Sequence, residues 1–273
     1  MTDKDQARTA TIADFGAQWT RFTANDGFYG SQALWQDIVG PLVPPAGFAD
    51  RRVLDIGSGT GRIVNMLLDA GAAHVTAVEP SAGFATLVAN TAQHGDRVRL
   101  LNMRGDELPA EIAGLDWAVS IGVLHHIPDP LPVVKAARRS LAPGGKMLIW
   151  VYGREGNGLY LAFALPLRAL VRLLPRWASV ALAWALTVPL SAYAALCRRA
   201  PGLPLGRYLA RVVSPLTWSK RMLVVYDQLA PNWAEYYTQA RVRALLTDAG
   251  FVDISLHHRH GYSWTAMATN PAS

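Results

Sequence analysis

An apolar run that ends in three glycines at alternate positions, VLDIGSGTG at residues 53–61, admits few architectures. Gly57, Gly59 and Gly61 lead straight into a helical stretch, RIVNMLLDAG. Glycine suits such a turn because positive φ costs it nothing and the missing Cβ lets a ligand approach the backbone. The exposed N–H groups and the helix N-terminus favour a negative ligand group. Glu79 ends the next apolar run, VTAVE, about twenty residues past the loop, where a carboxylate accepts ribose hydroxyls. Strand, glycine turn, helix, strand and acid in this order predict a βαβ unit, hence a parallel sheet covered on both faces.

The rest of the chain agrees. Short β-rich runs (RRVLDI, HVTAVE, RVRLLN, DWAVSI, GKMLIWVY) alternate with helical stretches. ARVRALLTDAG reads as a last helix closed by Gly250, and FVDISLHHRH and YSWTAMAT read as two strands turning at Gly261. Ahead of the sheet, Phe15, Trp19 and Phe22 share one helical face before the breaker-rich GPLVPPAG. With 51% hydrophobic and 17% charged residues over 273 positions, the chain is globular. The single Cys197 forms no internal disulfide or thiolate cluster, which fits a reducing compartment. The polar start MTDKDQARTATIADFG lacks the apolar core of a signal peptide, so the expected location is cytoplasmic.

The loop spacing is G-x-G-x-G, whereas dinucleotide enzymes carry G-x-G-x-x-G. In this the chain resembles the class I S-adenosylmethionine (SAM)-dependent methyltransferases, whose first motif is an apolar strand ending in an acid and then G-x-G-x-G. VTAVEPS resembles their second motif, RGDELP the third, DWAVSIGVLHHIPDP the fourth, and LAPGGKMLIW the turn and strand after it. The likeness covers residues 51–152 and 238–270 and is nearest to the type 11 subgroup acting on small molecules and quinone-like lipids. It implies a Rossmann-like α/β fold with a seven-stranded, mostly parallel sheet, an antiparallel closing strand, and a helical insertion between the fifth strand and the last core helix. The implied layout is an N-terminal helical cap over 1–50, a SAM-binding catalytic domain over 51–152 and 238–273, and a basic, apolar lid over 153–237. It also implies roles. Gly57, Ser58, Gly59 and Gly61 face the methionine end of SAM, Asp55 holds its amino group, and Glu79, with Pro80 beside it, takes the ribose hydroxyls. Asp106, with Glu107 behind it, meets the adenine amino group, and Ile121 and Gly122 line the other side.

Methyl transfer from a sulfonium is an in-line displacement, so the protein must chiefly place the acceptor. A base is needed only when the acceptor loses a proton, as a hydroxyl does. His125 and His126 follow the fourth strand at the carboxyl end, where open α/β sheets bind ligands. His125 is the candidate base; the other reading of the pair is packing, with His126 capping the turn between Pro128 and Pro132. The fourth strand ends in Ser120, Ile121, Gly122 and Val123, without the Asn or Asp, Pro-Pro and aromatic of enzymes acting on amide or nucleobase nitrogen. His257, His258 and His260 have no Cys and no acid at matching spacing, so no metal is expected there. Trp19, Tyr29, His126, Tyr152, Tyr226, Asp227, Tyr236 and Tyr237 are the expected acceptor-binding residues, as rings with polar tips suit an amphiphile.

The net charge of +6 is local. Residues 153–237 hold ten basic and three acidic side chains, +7, and the other 188 residues sum to −1. Between Arg176 and Arg198 lie 21 residues without a charge. That length could cross a bilayer, but one crossing would part the last strands from the sheet they complete. Arg168, Arg172 and Arg176 recur at i, i+4 and i+8, a stripe that Pro175 interrupts if the helix ends before Arg176. Two readings stay open: a helix lying in the interface with arginines on anionic headgroups, contacting the inner face of a membrane through 160–200, or a plain lid with solvated arginines. The expected activity is therefore SAM-dependent methylation of an amphiphilic or lipid-linked small molecule, on oxygen. The alternatives are an RNA or protein methyltransferase, or a SAM-binding interaction protein without catalysis. A nucleic-acid partner is disfavoured because the arginines alternate with aliphatic runs rather than a stacking platform.

Overall fold

The computed structural model describes residues 2–171, 173–200 and 202–272, and of Arg176 the backbone alone. Its centre is the expected seven-stranded sheet: β1 (Arg52–Ile56), β2 (His74–Val78), β3 (Val98–Leu101), β4 (Leu115–Ile121), β5 (Leu141–Tyr152), β6 (Val252–Arg259) and β7 (Ser263–Thr269). The order is β3-β2-β1-β4-β5-β7-β6, with β1 to β5 parallel and β7 running antiparallel between β5 and β6. The order reverses between β1 and β4, and a ligand crevice is expected outside the carboxyl ends of the strands at that point.

Both faces of the sheet are buried, which explains the near-continuous apolar strands. Alternate residues feed two cores: Val53 and Leu148 face one, Leu54, Met147 and Ile149 the other. α2 (Gln32–Val39) and α3 (Arg62–Asp69) cover the first, where Trp35 is fully buried beside Phe48. α5 (Leu131–Ser140) and α10 (Gln239–Asp248) cover the second. α4 (Phe84–Thr91) follows β2. Ahead of these, α1 (Asp3–Arg21) starts at a capping box in which Thr2 and Asp5 satisfy each other's backbone donors.

Between β5 and α10 the chain is helical: α6 (Gly158–Val171), α7 (Arg176–Arg199), the short α8 (Gly206–Tyr208) running into a π turn at Leu209–Val213, and α9 (Trp218–Leu229). Pro175 is the N-cap of α7, so the helix carrying Arg168 stops before Arg176 and the three arginines form no single stripe. Arg168 moreover turns inward, 5% exposed, and donates to the carbonyl of Pro231. Arg172 lies outside the described residues. Arg168 therefore serves an internal bond rather than a solvated or headgroup-facing stripe.

Candidate active site

The glycine loop is shaped by three left-handed residues. Gly57, Gly59 and Gly61 have φ of 76°, 54° and 80°. A Cβ at Gly57 would lie 2.6 Å from the methyls of Val123, so glycine is required there by space as well as by conformation. Ser58 ties the loop to its neighbours: its hydroxyl donates to the Asp55 carbonyl at 3.1 Å and accepts from Val78 N at 3.2 Å. Glu79 is 4% exposed, and its two carboxylate oxygens accept from Gly59 N at 2.8 Å and Ser81 N at 2.9 Å. The acid at the end of β2 thus holds the glycine loop and the next turn together.

A cleft opens over this loop at the carboxyl ends of β1, β2 and β4. Of the residues expected to bind the cofactor, Gly57, Ser58, Gly59, Glu79, Pro80 and Asp106 line it, with Ile121 and Gly122 on the β4 side. Gly61 is buried behind the loop as the N-cap of α3. Asp55 lies beneath the loop, 1% exposed, and its Oδ2 has no hydrogen-bond partner. Burial raises its carboxyl to about 7, although the Ser58 hydrogen bond and the Arg62 charge pull the other way. Asp106 works against burial too, but Arg104 and, at 3.4 Å, Arg8 hold it below the ordinary carboxylate range. Glu107 does not line the cleft; its carboxylate pairs with Arg104 at 3.5 Å.

α1 roofs the cleft. Trp19 lies on the loop, with its indole 3.2 Å from where a Gly59 Cβ would be, and Tyr29 and His126 also line the space. Arg62 sits 4.4 Å from the centre of the Tyr29 ring, and the Lys220 ammonium 4.6 Å from it. Sequence reasoning missed Arg8, Ile12, Phe15 and Arg62 as lining residues. A signal existed for part of this: Ile12, Phe15 and Trp19 recur at i, i+3 and i+7.

The two histidines of the 3-10 turn Leu124–His126 part company. His125 is fully buried outside the cleft, its ring centre 3.8 Å from that of Tyr152, with neither nitrogen hydrogen-bonded. Burial, with the neighbouring charges of His126 and Arg168, drives its pKa well below the usual value. His126 borders the cleft, edge-on to Phe15 at 4.7 Å. Its Nδ1 lies 2.8 Å from the Trp233 carbonyl and can only donate to it, which leaves the buried Nε2 bare as an acceptor. Burial lowers its pKa as well, against the raising effects of Asp227 and the Trp233 bond.

The other expected acceptor residues divide. Asp227 of α9 accepts from the Tyr152 hydroxyl and, at 3.0 Å, from Gln18 of α1. Tyr236 stacks on Tyr152 with ring centres 5.6 Å apart and donates to Gln228 at 3.1 Å. Tyr226 faces Phe22 at 6.3 Å. Tyr237 stands apart: it is fully buried in the core beside Val242, because its backbone bridges to Gly153 and draws it under the sheet. Away from the site, His258 stacks on Trp264 at 4.2 Å and His260 bonds Asp37 at 2.7 Å.

The cleft fits SAM: a glycine cradle where side chains would intrude, a buried carboxylate oxygen without a partner, and an acid at the end of β2. Residues 54–149 match the model of the methyltransferase domain family. The chain is 32% identical over 176 residues to a ubiquinone biosynthesis O-methyltransferase of Aromatoleum aromaticum, spanning 63% of this chain and 72% of that protein. It is 33% identical over 129 residues to a tRNA U34 carboxymethyltransferase of Chromohalobacter salexigens, spanning 45% of this chain but only 38% of that one. Among solved structures, magnesium protoporphyrin IX methyltransferase of Synechocystis PCC 6803 with bound SAH shares the fold, with a TM-score of 0.54 at 15% identity over 98% of this chain and 99% of that one. With the ordered motifs, the sheet order and these relatives together, the chain belongs to the class I SAM-dependent methyltransferases.

Proposed function

We propose that this methyltransferase acts on a hydroxyl of an amphiphilic, lipid-linked small molecule met at a membrane surface, with His126 rather than His125 as the base. The orientation of His126 carries the reading: the Trp233 carbonyl fixes its tautomer, and Nε2 is left as a bare acceptor at the edge of the cleft. When bound, SAM supplies a methyl group already activated on a sulfonium. Glu79 and the glycine loop would hold its ribose and methionine parts, and Asp55 its amino group. Gly122 and Ile121 close the side towards the acceptor, and Phe15 and Trp19 exclude water from above. Nε2 of His126 would take the proton that a hydroxyl acceptor gives up on methylation. Burial, which lowers its pKa, favours the neutral, accepting form of this histidine.

The name of the Aromatoleum relative supports oxygen as the methylated atom and a lipid-like acceptor. RNA is the competing acceptor, given the tRNA-modifying relative. The cations of the helical segment, however, accompany outer faces that are mostly aliphatic, although the exposed rings of Trp184 and Trp218 stack 6.0 Å apart. The test is a pool of lipid extracts and SAM, read by mass gain of one methyl group. His126→Asn should lower kcat by about 10²–10⁴ with SAM affinity unchanged, the range of a lost general base. Full activity of His126→Asn, or turnover of tRNA in place of lipids, overturns the reading.

A further inference from the structure

We propose that the outer faces of α6 and α7 dock onto an anionic lipid bilayer, lying in its interface rather than crossing it. The proposal rests on the reading of the acceptor as lipid-linked and names the surface where enzyme and acceptor meet.

The observation is an inversion of polarity. Ordinary surface helices turn apolar residues inward and polar ones to water. On α7 the buried positions include Ser179 and Thr187, the latter with its hydroxyl bonded back to the Ala183 carbonyl at 2.7 Å. Its described exposed positions ahead of the terminal Arg198 and Arg199 are apolar, among them Trp177, Ala181, Trp184, Val188 and Leu196. On α6 the buried side holds Arg168, while Leu159, Phe163, Leu165 and Leu170 point outward. The two faces meet at an exposed elbow, where Leu173 is 81% and Trp177 73% exposed. Eleven of the thirteen exposed large hydrophobic side chains recorded among the described residues fall between Leu159 and Trp218. Such a concentration marks an interaction surface.

Charge and chemistry select the partner. From Gly156 to Tyr226 the sequence has nine Arg or Lys and no Asp or Glu. Arg198, Arg199, Arg207 and Arg211 are exposed at and beyond the end of α7. An apolar face bordered by cations matches acyl chains beneath anionic headgroups, and indoles such as Trp177 and Trp184 favour that boundary. Among the described residues, the exposed large side chains of both helices up to Leu196 are Leu, Val, Phe and Trp, whose only hydrogen-bonding groups are the indole N–H donors of Trp177 and Trp184. Crossing is opposed by packing: the inner side of α7 rests on α9 and the π turn, so only its outer side is available to lipid.

Flotation with acceptor-free vesicles tests docking alone. The full chain should float with vesicles of phosphatidylcholine and phosphatidylglycerol, and more weakly with phosphatidylcholine only. Arg198→Glu with Arg199→Glu should weaken partition into the anionic vesicles by roughly 25-fold or more, at about fivefold for each arginine lost. Phe163→Glu with Trp177→Glu should abolish flotation, while Val252→Glu, at an exposed apolar site on β6, leaves it unchanged; thermal unfolding checks that each variant is folded. Wild-type protein that stays at the bottom with both vesicles overturns the proposal. So does equal loss in Val252→Glu, or a stable dimer in buffer that fails to float, which would make a second copy the occupant. The lipid-acceptor reading is scored separately, by methylation of extracts dispersed in detergent, so either can fail alone.

Discussion

Glu79→Gln separates the two duties of the acid at the end of β2. The carboxylate is 4% exposed and accepts from Gly59 N at 2.8 Å and from Ser81 N at 2.9 Å. Glutamine keeps the volume and one acceptor oxygen but sets an amide NH₂ against the other backbone donor. A hydrogen bond to a charged acceptor contributes about 1.5–3 kcal/mol, and a stranded buried donor costs about 1–3 kcal/mol. The two overlap, so the expected loss of stability is about 2–4 kcal/mol. At roughly 2–4 °C per kcal/mol for a chain of this size, Tm should fall by about 4–16 °C. For the cofactor, neutralising Glu79 as the proposed acceptor of the ribose hydroxyls should cost about 1.5–3 kcal/mol, a factor of roughly 10–150 in Kd. Thermal melts of the free protein read the first effect and isothermal titration with SAM the second. A lowered Tm with unchanged Kd would show that Glu79 only staples the loop and refute its ribose role. No change in either would refute the reasoning altogether.

Two further outcomes follow from groups around the same cleft. Asp55, raised to about 7 by burial, is largely protonated at pH 6, whereas its proposed pairing with the SAM amino group requires it ionised. SAM binding at pH 6 should therefore release close to one proton, seen as a buffer-dependent heat, and affinity should fall about tenfold per pH unit below 7 while staying flat above it; Asp55→Asn should lose this dependence. Asp227→Ala removes the acceptor shared by Gln18 and Tyr152, so amide exchange across α1 should rise about tenfold or more while the central strands stay protected. Unchanged exchange in α1 would mean that the helix is held by its other contacts alone.

Local features were legible in the sequence, and long-range ones were not. The glycine loop, Glu79 and the seven strands are written in spacing and hydrophobic period, because turn chemistry and strand period are set by residues close in sequence. His125 and His126 are indistinguishable by position; only the Trp233 carbonyl, 107 residues away, orients the ring of the one that borders the cleft. The arginine spacing misled for a similar reason. Period alone places Arg168 on a solvated stripe, but a carbonyl 63 residues further along draws it inside, and Pro175 begins a new helix before Arg176. Tyr237 shares its neighbours' composition, and only a backbone bridge sends it into the core. Inverted polarity on α7 was equally hidden, since a uniformly apolar stretch does not say which side meets the protein.

The roof over the cleft carries a kinetic consequence. One helix, α1, presents Trp19 to the glycine loop and Phe15 to His126, and is latched through Gln18 to Asp227. If a donor lying on the loop exchanges by that helix swinging away, the swing also dismantles the contacts of Phe15 and Trp19 over the cleft. With the acceptor placed as proposed, the catalytic cycle has a compulsory order: methyl donor in first, acceptor second, methylated product out, spent donor last. In such a cycle a hinge motion of the microsecond-to-millisecond class, rather than the displacement, would bound turnover. An acceptor that arrives early traps the spent donor beneath the closed helix, so excess acceptor acts as a brake on the enzyme that consumes it.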